Sequence, residues 1–251
     1  MMPDLFGKTA EDYSIDIIKE FEPDDGYYLA FSGGKDSCVI LELAKRAGVK
    51  YDAHYNVTTI DPPELVRFIR ASYPEVIFDY PKEAFFPLAL KRGIPTRQAR
   101  WCCNALKEYS GVGRTLMTGV RHAESRARSE YAFYSKCQRR NKYFVNPIVR
   151  WSDEDVWSYI KGEGIPYCGL YDEGFTRIGC ILCPCQRKSE KILSMQRWPH
   201  YWKKWREIVE QHWHDSDSAK RAADSPEGFW NWWLDIDRVE RQSEAQAGLF
   251  T

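Results

Sequence analysis

The sequence predicts an α/β protein built on a parallel sheet, with a mostly helical C-terminal region. Three observations predict it. Strand-like and helix-like segments alternate from Tyr27 to Tyr80. A Gly-Gly turn joins the first strand to the helix behind it. Beyond Cys185 the chain looks mostly helical. Alternation of this kind favours parallel strands joined by crossover helices.

The elements follow in order. Ile15, Ile17, Ile18 and Phe21 have the spacing of an amphipathic helix over 11–22. After a turn-rich Glu-Pro-Asp-Asp-Gly, residues Tyr27 to Phe31 read as a short buried strand. A helix is expected from Cys38 to Ala47, stopped at Gly48. Tyr51 to Val57 suits a second strand, Pro63 to Ser72 a helix with prolines at its start, and Val76 to Tyr80 a third strand. Later strands are expected at Arg114–Thr118 and Tyr143–Val145. Ser152, followed by Asp153, Glu154 and Asp155, caps a helix carrying Val156, Trp157, Tyr159 and Ile160.

With 251 residues, 43% of them hydrophobic, the chain can form a sizeable core. The expected organisation is one domain over 1–185 and a Trp-rich helical extension over 186–251 packed on it. In that extension, aromatic rings alternate with Lys and Arg between Trp198 and Trp233. Such rings either pack inward along amphipathic helices or stack on bases. No apolar run approaches the roughly 20 residues of a membrane helix. The N-terminal segment lacks a basic stretch followed by an apolar one, so no membrane association and a cytoplasmic location are expected. Thirty-six basic residues balance 36 acidic ones, which gives no global attraction to nucleic acid. The stretch from Lys91 to Arg150 is nevertheless locally basic and can hold phosphates.

The turn after the first strand reads Ser32-Gly33-Gly34-Lys35-Asp36-Ser37. Two glycines let the main chain bend sharply and approach a ligand closely. Successive N–H groups then form a concave anion site, to which the helix N-terminus adds partial positive charge. Ser32 and Ser37 supply hydroxyl donors, Lys35 a mobile charge, and Asp36 a carboxylate for a magnesium ion. The G-x-x-x-x-G-K-[ST] spacing of the common P-loop is absent. Downstream, Arg121, Arg126 and Arg128 can fork onto phosphate or sulfate oxygens.

Eight cysteines in a chain of this kind point to metal or thiol chemistry rather than a disulfide framework. Cys102 and Cys103 are adjacent, and Cys180 and Cys183 form a C-x-x-C with Cys185 close behind. Four thiolates can hold a tetrahedral zinc or a [4Fe–4S] cluster. None of the five histidines shows metal-binding spacing.

These motifs carry a resemblance. The Ser-Gly-Gly-Lys-Asp-Ser turn resembles the signature of N-type ATP pyrophosphatases, which cleave ATP between its α and β phosphates. Thr118 to Arg128, with Gly119, Arg121, Glu124, Ser125 and Arg128, resembles a stretch of the phosphoadenosine phosphosulfate reductase family. So does Asn146 to Ser152 with Asp155-Val156-Trp157. The resemblance covers roughly residues 25 to 185. It implies an adenine nucleotide alpha hydrolase-like, Rossmann-type fold that binds ATP and Mg2+, with Lys35, Asp36 and Arg121 as catalytic residues. Nucleotide contacts would come from Ser32, Gly33, Gly34, Lys35, Asp36, Ser37, Gly119, Arg121, Arg126 and Arg128. The Cys-Cys and C-x-x-C pairs resemble the cluster pattern of adenylylsulfate reductases and related ATP pyrophosphatases. That resemblance assigns a [4Fe–4S] cluster to Cys102, Cys103, Cys180 and Cys183. Cys185 is then spare, to replace a ligand or to carry sulfur.

Within this resemblance two reactions compete with a binding role. Sulfonucleotide reductases carry a nucleophilic cysteine in a C-terminal tail, and no cysteine follows Cys185 here. Their phosphate loop is also usually degraded, whereas this one is intact. Both departures favour an ATP pyrophosphatase that activates an oxygen for replacement by sulfur, similar to the enzymes of DNA phosphorothioation and tRNA thiolation. The expected partners are a cysteine desulfurase as sulfur donor and a nucleic acid as acceptor, and the resemblance allows a homodimer. The alternatives are reduction of adenylyl- or phosphoadenylyl-sulfate to sulfite, and a nucleotide- or nucleic-acid-binding module without turnover.

Overall fold

The computed structural model describes Leu5, residues 7–137 and residues 141–234. These form two compact units. One comprises Met1–Val57, Pro62–Tyr80 and Lys107–Gly179; the other comprises Thr58–Asp61, Pro81–Leu106 and Cys180–Thr251. Residues 58–61 and 81–106, inside the stretch read as the first domain, thus group with the C-terminal segment.

The first unit holds a six-stranded sheet in the order β3-β2-β1-β4-β6-β5. Its strands are β1 (Tyr27–Ala30), β2 (Tyr51–Asn56), β3 (Ile77–Asp79), β4 (Thr115–Met117), β5 (Tyr134–Cys137) and β6 (Lys142–Val145). All neighbours pair in parallel except β5, which runs antiparallel to β6. The strand order reverses at β1, between β2 and β4. Open α/β sheets bind ligands beyond the carboxyl ends of strands at such a reversal.

Helix α1 (Ala10–Glu20) starts from a capping box at Thr9 and packs on α2 (Lys35–Ala47). Helix α6 (Asp153–Gly162) starts from a second box at Ser152 and packs on α2 as well. Helix α3 (Pro63–Ser72) begins at the expected proline. The Tyr27 hydroxyl donates to the Ile18 carbonyl of α1, so the Tyr27 and Leu29 face of β1 lies beneath that helix. Successive strand residues face opposite ways, which turns Tyr28 and Ala30 toward a cavity on the other side.

The second unit is helical: α4 (Phe85–Arg92), α5 (Trp101–Leu106), α7 (Lys188–Arg197), α8 (Pro199–Asp215), α9 (Asp217–Ala222) and α10 (Pro226–Leu234). Its tryptophans settle the two readings of the aromatic stretch largely in favour of packing. Trp205, Trp230 and Trp233 are buried, and Trp205 lies against Phe85 and Trp233. Two of the indole N–H groups are used internally: Trp205 donates to Ile181 O and Trp233 to Pro95 O. Trp232 is the exception, half exposed at the surface. Among the described residues no helix is long and apolar enough to cross a membrane.

Candidate functional site: a phosphate turn and a thiol cluster

The turn Ser32–Gly34 leaves β1 and opens directly into α2. Gly33 has φ +70°, and a Cβ there would stand 2.6 Å from Leu65 Cδ1 and 2.8 Å from Ile69 Cδ1. Both the backbone angle and the pressure of α3 therefore require glycine. Ser37 Oγ donates to Gly34 O at 2.8 Å, while Ser32 Oγ donates to Ser37 Oγ at 3.2 Å. The two serines thus brace the turn itself.

Lys35, Asp36 and Arg121 come together, and a fourth charge joins them. Arg121, only 1% exposed, donates from Nε to Asp36 Oδ1 at 2.6 Å and from Nη2 to Asp153 Oδ1 at 2.7 Å. Its Nη1 donates to the Trp151 carbonyl. Lys35 Nζ stands 3.3 Å from both Asp36 Oδ2 and Asp153 Oδ1. Burial alone would push the Asp153 carboxyl up, but Arg121 and Lys35 hold it below its ordinary value. Two cations and two carboxylates therefore balance at the first turn of α2. Gly119 makes this approach feasible, because a Cβ there would lie 3.0 Å from the Asp36 backbone.

The other two arginines of the motif are placed differently. Arg128 pairs with Glu124, whose carboxylate also accepts from the Arg121 N–H. Arg126 is exposed, and its carbonyl accepts from Ser129. The Asn146-to-Ser152 stretch meets the site through Asn146 and the Trp151 carbonyl. Thr118 Oγ1 donates to Asn146 Oδ1, and Asn146 Nδ2 donates to Ala132 O.

A cavity of about 480 Å³ opens on the Tyr28 face of the sheet. Thr118, Val120, Arg128 and Asn146 from the sequence motifs line it, together with Lys107 and Lys136. Sequence reasoning missed Lys107, Asp153 and Tyr171; the Tyr171 hydroxyl accepts from the Lys35 N–H at 2.9 Å. It also missed a polar chain nearby. Stacked on Tyr28, His54 is held between Asp52 and Asp79, and Asp52 accepts in turn from Arg114.

All eight cysteines lack disulfides. In the second unit Cys102 and Cys103 lie close together, with Cys180 and Cys183 near enough to act on Cys102 electrostatically. Hydrogen bonding with Cys103, then burial, then the neighbouring thiols push the Cys102 thiol up. Hydrogen bonding with Cys185 and burial do the same for Cys183. Among the described residues no three Cys, His, Asp or Glu side chains are placed to hold a single metal ion. The loop around Cys180–Cys185 is nonetheless firmly held. Ile181 N donates to Ile60 O, and Arg97 donates to the carbonyls of Pro184 and Gln186 on either side of Cys185.

A sheet of this order, with a glycine turn entering a helix beside its strand reversal, defines a Rossmann-like nucleotide-binding fold. The chain belongs to the phosphoadenosine phosphosulfate reductase domain family, whose profile matches residues 26–186. An uncharacterized protein of Methanocaldococcus jannaschii is 30% identical over 238 residues; the match covers 88% of this chain and 56% of that protein. The chain thus spans about half the length of that relative. An adenosine 5'-phosphosulfate reductase of Oceanobacillus iheyensis is 28% identical over 185 residues, covering 67% of this chain and 75% of that enzyme. Among solved structures, the phosphoadenylyl-sulfate reductase of Candida auris, in a phosphate complex, superposes with a TM-score of 0.51 at 22% identity. That superposition covers 70% of this chain and 90% of the other, and it supports the fold.

Proposed function

We propose that the protein is an ATP pyrophosphatase that adenylates an oxygen of its acceptor so that sulfur can replace it. The observation that carries this reading is the intact Ser32–Ser37 turn entering α2, with Lys35 beside two carboxylates and Arg121 locking Asp36 in place. In the reaction, the acceptor oxygen attacks the α-phosphorus of ATP and the bond to the β-phosphate oxygen breaks. The turn and Lys35 stabilise the charge on the departing pyrophosphate. Sulfur then displaces AMP from the adenylated acceptor. Asp36 and Asp153 would hold Mg2+, which would supply charge neutralisation there.

Four thiols in one neighbourhood fit a [4Fe–4S] cluster better than a single ion. Each iron of a cluster takes one thiolate, so the ligands need not converge on one point. Cys102, Cys103, Cys180 and Cys183 would hold it, and the cluster would supply a soft site for the acceptor or the incoming sulfur. A cysteine desulfurase as donor, a nucleic acid as acceptor, a homodimeric assembly and a cytoplasmic location complete the proposal.

Reduction of adenylyl- or phosphoadenylyl-sulfate is the second reading, favoured by the similarity to an adenosine 5'-phosphosulfate reductase. Anaerobically purified protein decides between them. Release of AMP and pyrophosphate from Mg2+-ATP, lost in Lys35→Ala, is the expected result. Sulfite formed from a sulfonucleotide without ATP cleavage would select the reductase. Tight ATP binding without turnover of either substrate would select a binding module.

A further inference from the structure

The N-terminus of α2 is capped from a distant part of the chain. Gly34 sits at the N-cap with no side chain to accept a helix N–H. The Tyr171 hydroxyl supplies the acceptor instead, taking the Lys35 N–H at 2.9 Å from 136 residues away. A Cβ on Gly34 would stand 3.4 Å from that hydroxyl, so the glycine leaves room beside it.

Tyr171 is well fixed for this contact. It ends the 3-10 turn Gly169–Tyr171, and its N–H donates to Cys168 O. Its ring meets Trp157 of α6 edge-on, with centroids 5.1 Å apart. The contacted N–H is one of those that a helix start offers to an anion. A phenol can accept one hydrogen bond and donate another. Burial, helped by the nearby Asp36 charge, pushes the Tyr171 hydroxyl up and keeps it protonated.

We infer that Tyr171 is a phosphate-binding residue: its hydroxyl holds the Lys35 N–H when no phosphate is bound, and donates to the phosphate oxygen that takes that N–H. This inference rests on the reading of Ser32–Ser37 as a phosphate turn, and it holds for either nucleotide substrate. The exchange replaces a neutral hydrogen bond with one to a charged acceptor, which is the stronger of the two.

The test is Tyr171→Phe, which keeps the ring and removes the hydroxyl. Affinities for Mg2+-ATP, adenylylsulfate and adenosine are measured by calorimetry, with Tyr167→Phe as control because that hydroxyl bonds Asp172 instead. Loss of the stronger bond weakens binding of both phosphate-bearing ligands about five- to tenfold, and leaves adenosine and the control unchanged. Tighter ATP binding would show that the hydroxyl only competes with phosphate, and would overturn the inference. Equal loss for adenosine, or no change at all, would overturn it too.

Should Tyr171→Phe fold poorly, amide exchange in the wild-type protein gives an independent answer. The Lys35 N–H stays protected with and without ATP if the bond is handed over. Protection unaltered by ATP elsewhere in the turn but lost at Lys35 would overturn the exchange. Wild-type protein that binds no adenine nucleotide would remove the phosphate-turn reading and this inference together. Nucleotide binding without pyrophosphate release would remove the pyrophosphatase reading alone.

Discussion

Arg121 Nε donates to Asp36 Oδ1 across 2.6 Å, tying the segment after β4 to the first turn of α2. The same guanidinium holds Asp153 at the start of α6. One side chain therefore sets the geometry of three elements around the phosphate turn. Its planar fork satisfies two carboxylates at once, which a lysine ammonium on a flexible stem does not reproduce.

Replacing Arg121 should cost both stability and activity. Arg121→Ala leaves Asp36 without its main partner in a largely buried position, and breaking such a pair costs about 3 kcal/mol. Pyrophosphate release should fall below detection. Arg121→Lys should regain part of the stability but little of the activity, because charge is kept while the fork is lost. Urea unfolding alongside the pyrophosphate assay checks this. Wild-type stability in Arg121→Ala would mean that the fork does not hold the three elements together.

The turn itself should tolerate no side chain at Gly33. A Cβ there meets Leu65 and Ile69 of α3 at under 3 Å, and φ +70° adds conformational strain. Overpacking and the left-handed backbone together give a loss of roughly 2–4 kcal/mol for Gly33→Ala. Nucleotide affinity should fall with it. A melting temperature unchanged from wild type would show that α3 yields more easily than its packing implies.

How much of this was legible in the sequence depends on how local each signal is. The Gly33-Gly34 pair and the Ser152 capping box are written in consecutive residues, and both stand where their spacing puts them. Strand β5 carries no such trace. As an edge strand it exposes most of Tyr134–Lys136, so it lacks the alternation that burial imposes. Helix α4 is masked by Pro87, which is tolerated because it lies in the first turn. Asp153 reads as one of three acids at a helix start, and only the folded chain turns it toward Arg121 and Lys35. Tyr171 and Lys107 have no sequence signal of their own, since each is defined by contacts made far along the chain.

Acid should loosen the β2 side of the sheet through Asp52. Burial works to raise its carboxyl, but the hydrogen bonds from Arg114 and His54 outweigh it and hold the value below the ordinary 3.8. A carboxylate depressed in the folded state contributes stability that is complete above its unfolded value and is lost as pH falls through the folded one. The loss should therefore begin near pH 4 and grow below it. Asp52→Asn should be less stable at neutral pH and show a flatter acid limb. Parallel acid limbs in the two proteins would remove Asp52 from the account.

The thiol cluster makes the most direct prediction. Cys102 is held as a high-pKa thiol by Cys103 and burial, and Cys183 by Cys185 and burial. Thiols so placed stay protonated unless a cation takes the charge, so binding iron or zinc must release protons. Anaerobic protein should be brown and carry about four irons per chain. Cys180→Ala should bleach it, because that thiol is one of the four assigned to the cluster and sits on the loop fixed by Ile60 and Arg97. Cys185→Ala is the informative partner: retained colour with lost sulfur transfer makes Cys185 a sulfur carrier, and lost colour makes it a ligand. Colourless wild-type protein with one zinc per chain would instead replace the cluster with a structural ion, and the proposed sulfur chemistry at these cysteines would go with it.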